Sequence, residues 1–442
     1  MKAGFISLGC SKNLVDTEVM LGIIRQNGIE LVNDPAEADI LIVNTCAFIE
    51  SAKMESITTV LSMAQYKNPE KGHCRSVIIA GCLGQRYGQE LLDDLPEADG
   101  IIGTGSWNRI MEVIKETLAG NRVVINSQND IIYDASVPRI PTTPAYTAYV
   151  KIAEGCNNRC AFCAIPLIRG RYRSRRIEDI HQEVQQLADK GAKEIVLIAQ
   201  DTTGYGHDIY GRPSLARLLK DLCRIEGIKW LRSLYSYPRF FTDELIDTIA
   251  TEEKLVKYVD IPLQHASNEI LRSMHRPDTK EEITALLDKL RSRIPGVVIR
   301  TTFIVGFPGE TEEQYQELKA FLEEQRFDHV GIFTYSREED TAAAKMPNQV
   351  PEEVKADRYH DLKAAQSLIS QELNQDLEGQ VLEVLVEGHT DEGMPYGRSY
   401  RQADDVDDNV YIEGDSTSQV GDMVQVRILQ GFTEDLVGEL VE

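Results

Sequence analysis

The chain has 442 residues, 42% of them hydrophobic and 27% charged, with 71 Asp and Glu against 47 Lys and Arg. That length suits about three ordinary globular domains, and a formal net charge of −24 disfavours nucleic acid as the primary partner and favours a basic one. No stretch approaches the ~18 apolar residues of a membrane span, the first residues run into strand-like sequence without a signal core, and eight cysteines are too sparse for a disulfide scaffold. The expectation is a cytoplasmic protein with no membrane partner.

Residues 1–130 read as alternating strands and helices. Residues 4–8 form a short apolar strand ending at Cys10, 15–29 carry apolar positions at helical spacing, and 39–43 form a buried strand running to Cys46. Residues 76–80 form another strand, leading to Cys82, and 100–103 precede a helix near 107–118. Near-continuous apolar strands alternating with amphipathic helices predict a parallel sheet covered on both faces. Cys10, Cys46 and Cys82 each fall just past the carboxyl end of a strand, the edge where α/β sheets bind ligands. The spacing therefore predicts three thiols meeting at one place.

A proline-rich stretch within 131–145 predicts a linker. From 146 to 375, six strand candidates (149–154, 194–200, 231–237, 258–263, 297–305 and 329–335) alternate with helical stretches, which predicts a partial (β/α)6 barrel with its chemistry at the carboxyl ends of the strands. A long helix, 352–375, closes that region. Residues 376–442 alternate apolar and polar positions between Gly and Asp turns (381–386, 409–412, 423–429), which predicts a small all-β barrel. The fold class is thus α/β multidomain.

Cys156, Cys160 and Cys163 form a C-x3-C-x2-C triplet just after the first strand of the partial barrel. Fe–S clusters are normally held by four cysteines, so three thiolates leave one iron open for a small molecule. A zinc knuckle is disfavoured, because zinc sites use four ligands in paired spacings. Cys223 lies at apolar helix positions, which predicts burial, and Cys74 sits in a loop unrelated to a strand end.

This triplet, with Phe162 before its last cysteine, resembles the radical S-adenosylmethionine (SAM) enzymes. Together with the three amino-terminal cysteines and the terminal β-barrel, which looks like a TRAM domain, the chain resembles the methylthiotransferases from end to end. Ser7-Leu-Gly-Cys-Ser-Lys-Asn-Leu-Val-Asp16, Ala199-Gln-Asp-Thr202, Arg169-Gly-Arg-Tyr-Arg-Ser-Arg175 and Gly397-Arg-Ser-Tyr-Arg-Gln-Ala-Asp-Asp-Val-Asp407 look like the branch that modifies a ribosomal protein, small-subunit protein S-twelve, rather than tRNA adenosines. The resemblance implies two 4Fe-4S clusters and SAM as cofactors, with a flavodoxin or ferredoxin as electron donor. The cluster on Cys156, Cys160 and Cys163 would cleave SAM to a 5′-deoxyadenosyl radical. The cluster on Cys10, Cys46 and Cys82 would present a methylated sulfur for insertion at the β-carbon of an aspartate. An aliphatic C–H is too weakly acidic for side-chain bases, and the cofactor carries that step.

By place in the pattern, Gln200 and Asp201 would bind the methionine end of SAM, Gln264 and His265 the ribose, and Gly306 and Gly309 the adenine. Arg169 would hold the SAM carboxylate, and Arg173 and Arg175 the substrate aspartate. Residues 376–442 hold 17 Asp and Glu against three Arg and no Lys. Asp404, Asp405, Asp407 and Asp408 are therefore expected to grip a basic ribosomal protein. Two other readings are a tRNA methylthiotransferase, which salt-sensitive tRNA binding would favour, and a non-catalytic Fe–S carrier, which failure to cleave SAM would favour.

Overall fold

The computed structural model describes residues 1–127, 131–404, 406–414 and 417–441; Asp405 lies outside them. The amino-terminal sheet is all parallel, with order β2-β1-β3-β4-β5-β6. Its strands are β1 (Lys2–Ser7), β2 (Glu30–Val32), β3 (Ile40–Thr45), β4 (Ser76–Gly81), β5 (Gly100–Gly103) and β6 (Val123–Ile125). Side chains alternate across a strand, and the two faces separate accordingly. Ile40, Ile42 and Ile78 pack with α1 (Ser11–Gln26) and α4 (Ile110–Leu118). Leu41, Val43, Val77 and Ile79 pack with α2 (Glu50–Ala64) and α3 (Cys82–Asp94). The sequence pattern reveals four of these strands; the three-residue edge strands β2 and β6 carry too little periodicity to be read.

The second region contains six parallel strands in chain order: β7 (Thr147–Lys151), β10 (Glu194–Ile198), β11 (Trp230–Ser233), β12 (Tyr258–Asp260), β13 (Val298–Val305) and β14 (His329–Thr334). They form two three-stranded sheets, joined by a lone bridge between Leu231 and Leu255. The barrel is therefore partial and open, as expected. A two-residue pair, β8 (Ala153–Glu154) with β9 (Arg173–Ser174), follows β7. Helices α6 (Ile177–Asp189), α8 (Leu215–Leu222), α9 (Asp243–Thr251), α11 (Lys280–Arg293) and α12 (Glu312–Gln325) pack outside. Short helices α5 (Ile165–Arg169), α7 (His207–Tyr210) and α10 (Asn268–Ser273) sit in the connecting loops, and α13 (Glu352–Gln375) closes the region. The carboxyl-terminal segment is a closed five-stranded barrel, β15 (Val381–His389), β16 (Pro395–Ser399), β17 (Val410–Glu413), β18 (Met423–Gly431) and β19 (Leu436–Leu440), in the order β15-β16-β17-β19-β18. Sequence alternation reveals three of the five.

Buried ion pairs fix these regions to one another. Arg139, in the proline-rich stretch, reaches Glu18 on α1 and Glu183 on α6, both at 2.6 Å. Lys53 on α2 and Arg86 on α3 converge on Glu338, in the loop after β14, at 3.2 and 2.9 Å. Arg398 on β16 reaches Glu194, the first residue of β10, at 2.8 Å, and Arg232 on β11 meets the same carboxylate at 2.9 Å. Removing one partner from such a pair strands a buried charge and costs about 3–5 kcal/mol.

Candidate active site

In the amino-terminal sheet the chain passes from β1 to β2 on one side and returns to β3 on the other, so the strand order reverses between β1 and β3. Ligands bind outside the carboxyl ends of the strands at such a switch point. Cys10 follows β1, Cys46 follows β3 and Cys82 follows β4. Gly9, at φ +85°, turns the chain into Cys10, and a Cβ there would stand 2.9 Å from the Cys46 Cβ. Asn13 holds the three loops together: its amide nitrogen donates to the carbonyls of Leu8 (3.0 Å) and Thr45 (2.8 Å), and its oxygen faces Cys82 Sγ at 3.5 Å.

The second triplet leaves the barrel after β8. Gly155, at φ +78°, precedes Cys156, and a Cβ there would meet the Arg171 carbonyl at 2.2 Å. Both triplets line one cavity of about 340 Å³, so Cys10, Cys46, Cys82, Cys156, Cys160 and Cys163 face a common space. Phe162, Arg169, Gln200 and Gln264 line it too, with Lys12, Tyr235, Tyr237 and Arg276. A larger cavity of about 570 Å³ on the outer flank of the barrel, around His181 and Arg212, contains none of the predicted site residues.

The donor set fits iron–sulfur clusters. All six cysteines are free thiols. Among the described residues no group of three or more His, Cys, Asp or Glu converges on a point suited to one metal ion. A cluster does not need such convergence, because each thiolate binds a different iron. The six thiols differ in their surroundings. Burial pushes Cys82, Cys156 and Cys163 up to about 12, and burial also raises Cys46. Cys10 is exposed to the open cavity; desolvation by the surrounding protein still acts the same way there, but the charges of Lys12 and Arg169 and the N–H groups of Asn13 and Lys12 outweigh it and hold the thiol below its ordinary value.

The pocket also fits a polar organic cofactor. The side-chain oxygens of Gln200 and Gln264 are buried on its wall and accept no hydrogen bond among the described residues; groups left so are costly unless a ligand satisfies them. Gln264 and Tyr235 hold φ +75° and +63°. Strained backbone of this kind in non-glycine residues clusters at functional sites.

Arg169 sits between the two triplets. It reaches Asp16 at 2.6 Å, Asn13 Oδ1 at 2.5 Å, Glu154 at 3.2 Å and Cys82 Sγ at 3.5 Å. Lys151 joins Asp16 and Glu154 at 2.5 and 2.6 Å, and Gln200 donates to Glu154 at 2.8 Å. With both carboxylates on its guanidinium, Arg169 bridges the two regions while also lining the cavity.

Four other residues expected at SAM lie outside the lining of this cavity. Asp201 is buried and turned into the chain, accepting from Asn158, Thr203 and the Gly204 N–H. His265 is fully buried, accepts the Ser267 N–H at 2.9 Å, and stands 3.5 Å from Glu310. Gly306 donates its N–H to Glu310 and packs so close to Lys355 that a Cβ would meet its side chain at 2.3 Å, while a Cβ on Gly309 would meet nothing within 4 Å. None of these four lines the cavity.

Two arginines of the basic run are likewise engaged with the protein's own groups. Arg175 is buried against Asp179, Glu183 and the Lys151 carbonyl, and Arg173 reaches the carbonyls of Arg171 and Arg169. Neither is placed to receive a substrate aspartate in the cavity. Asp407 is buried too, accepting from Tyr258 at 2.5 Å and the Ala403 N–H at 2.8 Å, and Asp404 accepts from Tyr149 at 3.1 Å. These acids dock the terminal barrel on the second region instead of presenting a free acidic face. Asp408 is half-buried, and burial, with Asp435 and Glu434 nearby, raises it to about 6 against the opposing pull of His329.

Lys12, Asn13, Asp16, Lys151, Glu154, Tyr235, Tyr237 and Arg276 have no role in the motif reading, yet they build the walls and supports of the site. The available signal was the run from Ser7 to Asp16, whose polar residues open a helix that is otherwise buried.

A partial barrel with three thiols at its first strand end, faced by three more from a second sheet, defines the class: a radical SAM enzyme with an additional thiol site. Family models agree. Residues 150–322 match the Radical SAM superfamily, 2–103 the Uncharacterized protein family UPF0004, and 379–441 the TRAM domain. Among solved structures, the radical S-adenosylmethionine methyltransferase TsrM from Kitasatospora setae, with tryptophan substrate and a SAM analogue bound, superposes with a TM-score of 0.58 at 14% identity, covering 75% of this chain and 72% of that one. That likeness is one of fold. The chain is 52% identical to the ribosomal protein uS12 methylthiotransferase RimO of Desulforamulus reducens, over 99% of each chain. It is 51% identical to that of Pelotomaculum thermopropionicum over 100% of this chain and 99% of the relative. It belongs to the uS12 methylthiotransferase RimO family, radical SAM transferases that work with SAM and 4Fe-4S clusters.

Proposed function

We propose that this enzyme inserts a methylthio group at the β-carbon of an aspartate in ribosomal protein uS12, in the cytoplasm, with a flavodoxin or ferredoxin as reductant. The observation that carries this reading is the convergence of both thiol triplets on one cavity. An acceptor carbon held there is within reach of both chemistries without leaving the site. Bound clusters and SAM supply the one-electron cleavage and the transferable sulfur that side chains lack.

The protein's own residues hold and shield these groups. Cys156, Cys160 and Cys163 ligate one cluster and Cys10, Cys46 and Cys82 the other. The Gln200 and Gln264 oxygens accept hydrogen bonds from SAM, and Phe162 seals the wall beside Cys163. The network of Arg169, Asp16, Lys151 and Glu154 sets the distance between the triplets, because every member is buried and paired. Tyr235, Tyr237 and Pro262 give the cavity apolar surface, which keeps water from a reactive radical.

A protein acceptor is supported by a terminal barrel rich in carboxylates, with Glu383, Asp391, Glu392, Glu413 and Glu434 exposed. Mass spectrometry of uS12 and of tRNA from cells with and without this enzyme tests the reading. The methylthio mark should vanish from uS12 alone; its loss from tRNA adenosines with uS12 unchanged would replace this acceptor.

A further inference from the structure

Lys12 lies in the first turn of α1, two residues after Cys10, and its side chain lines the cavity shared by the triplets. It is only 7% exposed. A buried ammonium is costly unless a counter-charge meets it, and two buried cations nearby have one: Lys151 and Arg169 both pair with Asp16 and Glu154. Among the described residues no carboxylate forms an ion pair with Lys12. Its contacts are the face of the Tyr235 ring, 3.1 Å from the centroid, and the Ala199 carbonyl at 3.4 Å. An ammonium has three N–H donors, so these contacts leave donors for a ligand. Tyr235 is held beneath it by backbone in the left-handed region (φ +63°), tied through its N–H to Asp260 at 2.8 Å. Apart from the neighbouring Cys10 thiol, on which its charge acts, this buried and supported cation has no carboxylate partner among the described residues, and it is placed to receive one.

Two anions could come to this cavity, the carboxylate of SAM and that of the acceptor. The barrel side has its own cation, Arg276, 4.0 Å from Cys160 Sγ and stacked 4.4 Å from the Tyr237 centroid. Lys12 enters instead from α1 of the amino-terminal region, two residues from Cys10, and its ammonium rests on Tyr235 and the Ala199 carbonyl. We infer that Lys12 is a specificity-determining residue that receives the side-chain carboxylate of the acceptor aspartate and so presents its β-carbon between the triplets. This inference rests on the protein-acceptor reading above. Its consequence is discrimination: an amide in place of the carboxylate loses the charge-assisted hydrogen bond, and a base carries no such group.

The test is a two-by-two binding measurement on anaerobically reconstituted full-length enzyme saturated with SAM. It uses fluorescent peptides of the uS12 acceptor loop carrying Asp or Asn at the acceptor position. Lys12→Met should weaken the Asp peptide about 30-fold and the Asn peptide no more than about threefold, the difference expected of a hydrogen bond to a charged group. Lys12→Arg, which keeps the charge, should restore part of the preference for Asp. Equal losses for the two peptides, or a matching loss of SAM affinity or bound iron, would make Lys12 a support of the thiol pocket and overturn the assignment. A wild-type enzyme that binds neither peptide but binds tRNA would remove the protein-acceptor reading itself, and this assignment with it.

Discussion

At the amino-terminal triplet, three identical side chains stand in unlike electrostatic surroundings. Cys10 has Lys12, Arg169 and two backbone N–H groups around it and is held low, whereas Cys82 is pushed up to about 12 by burial although Arg169 touches it. Iron binds thiolate, so metal loading at a buried thiol must displace a proton. Replacing Cys10, Cys46 and Cys82 together with Ala should reduce bound iron from about eight to about four per chain, with SAM cleavage to 5′-deoxyadenosine retained and sulfur insertion lost. Replacing Cys156, Cys160 and Cys163 should leave the same residual iron and end SAM cleavage altogether. Iron analysis with product quantification checks both, and methylthio product from the first variant would contradict the division of labour.

The terminal barrel is fixed near the amino ends of the strands of the second region, the end remote from the thiols. Tyr149 on β7, Glu194 on β10, Arg232 on β11, Tyr258 on β12 and Arg300 on β13 all reach residues 398–407. Glu194, between two guanidinium groups, is held down at about 2 despite burial, which acts the other way. A carboxyl whose folded pKa lies below its unfolded value of about 4.5 stabilises the fold above that value and loses the contribution as pH falls toward 2, here on the order of 3 kcal/mol. Proteolysis between α13 and β15 should therefore accelerate as pH falls below about 4.5, and the Glu194→Gln variant should lack that step. Arg398→Met should accelerate cleavage at neutral pH by leaving Glu194 and Glu387 short of a partner, a loss of about 3 kcal/mol. The same elements mark where the sequence stops being readable. β3 and β4 are legible because unbroken apolar runs announce strands buried on both faces. β16, with Pro395, Gly397 and a buried Arg398, has the composition of a turn. Asp404 and Asp407 read as a surface because their partners lie 149 to 255 residues away in sequence. The cysteines were legible because each follows a strand; Lys12 and Arg276 were not, because only the folded cavity brings them beside the thiols.

Across the whole molecule, the thiol cavity and the acidic barrel occupy opposite ends of the second region. A five-residue strand spans about 16 Å, twice the ~8 Å Debye length at physiological ionic strength. Direct contact between the terminal barrel's acids and an acceptor residue inside the cavity is therefore not the arrangement, and part of that barrel's charge is already consumed, by Glu387 on the barrel's own Arg398 and by Asp404 and Asp407 in docking. On the proposed reading, the exposed carboxylates Glu383, Asp391, Glu392 and Glu413 would act instead on the remainder of a basic substrate, raising its rate of encounter and orienting it. Converting those four to Gln or Asn should weaken association with free uS12 about tenfold at 50 mM salt, mostly through the association rate, with turnover at saturating substrate unchanged. At 500 mM salt the variant and the parent should converge, because screening removes the advantage from both. Stopped-flow association at the two salt concentrations decides the matter: a deficit of the same size at both would mean that these carboxylates touch the substrate directly, and a drop in turnover would place them at the chemistry.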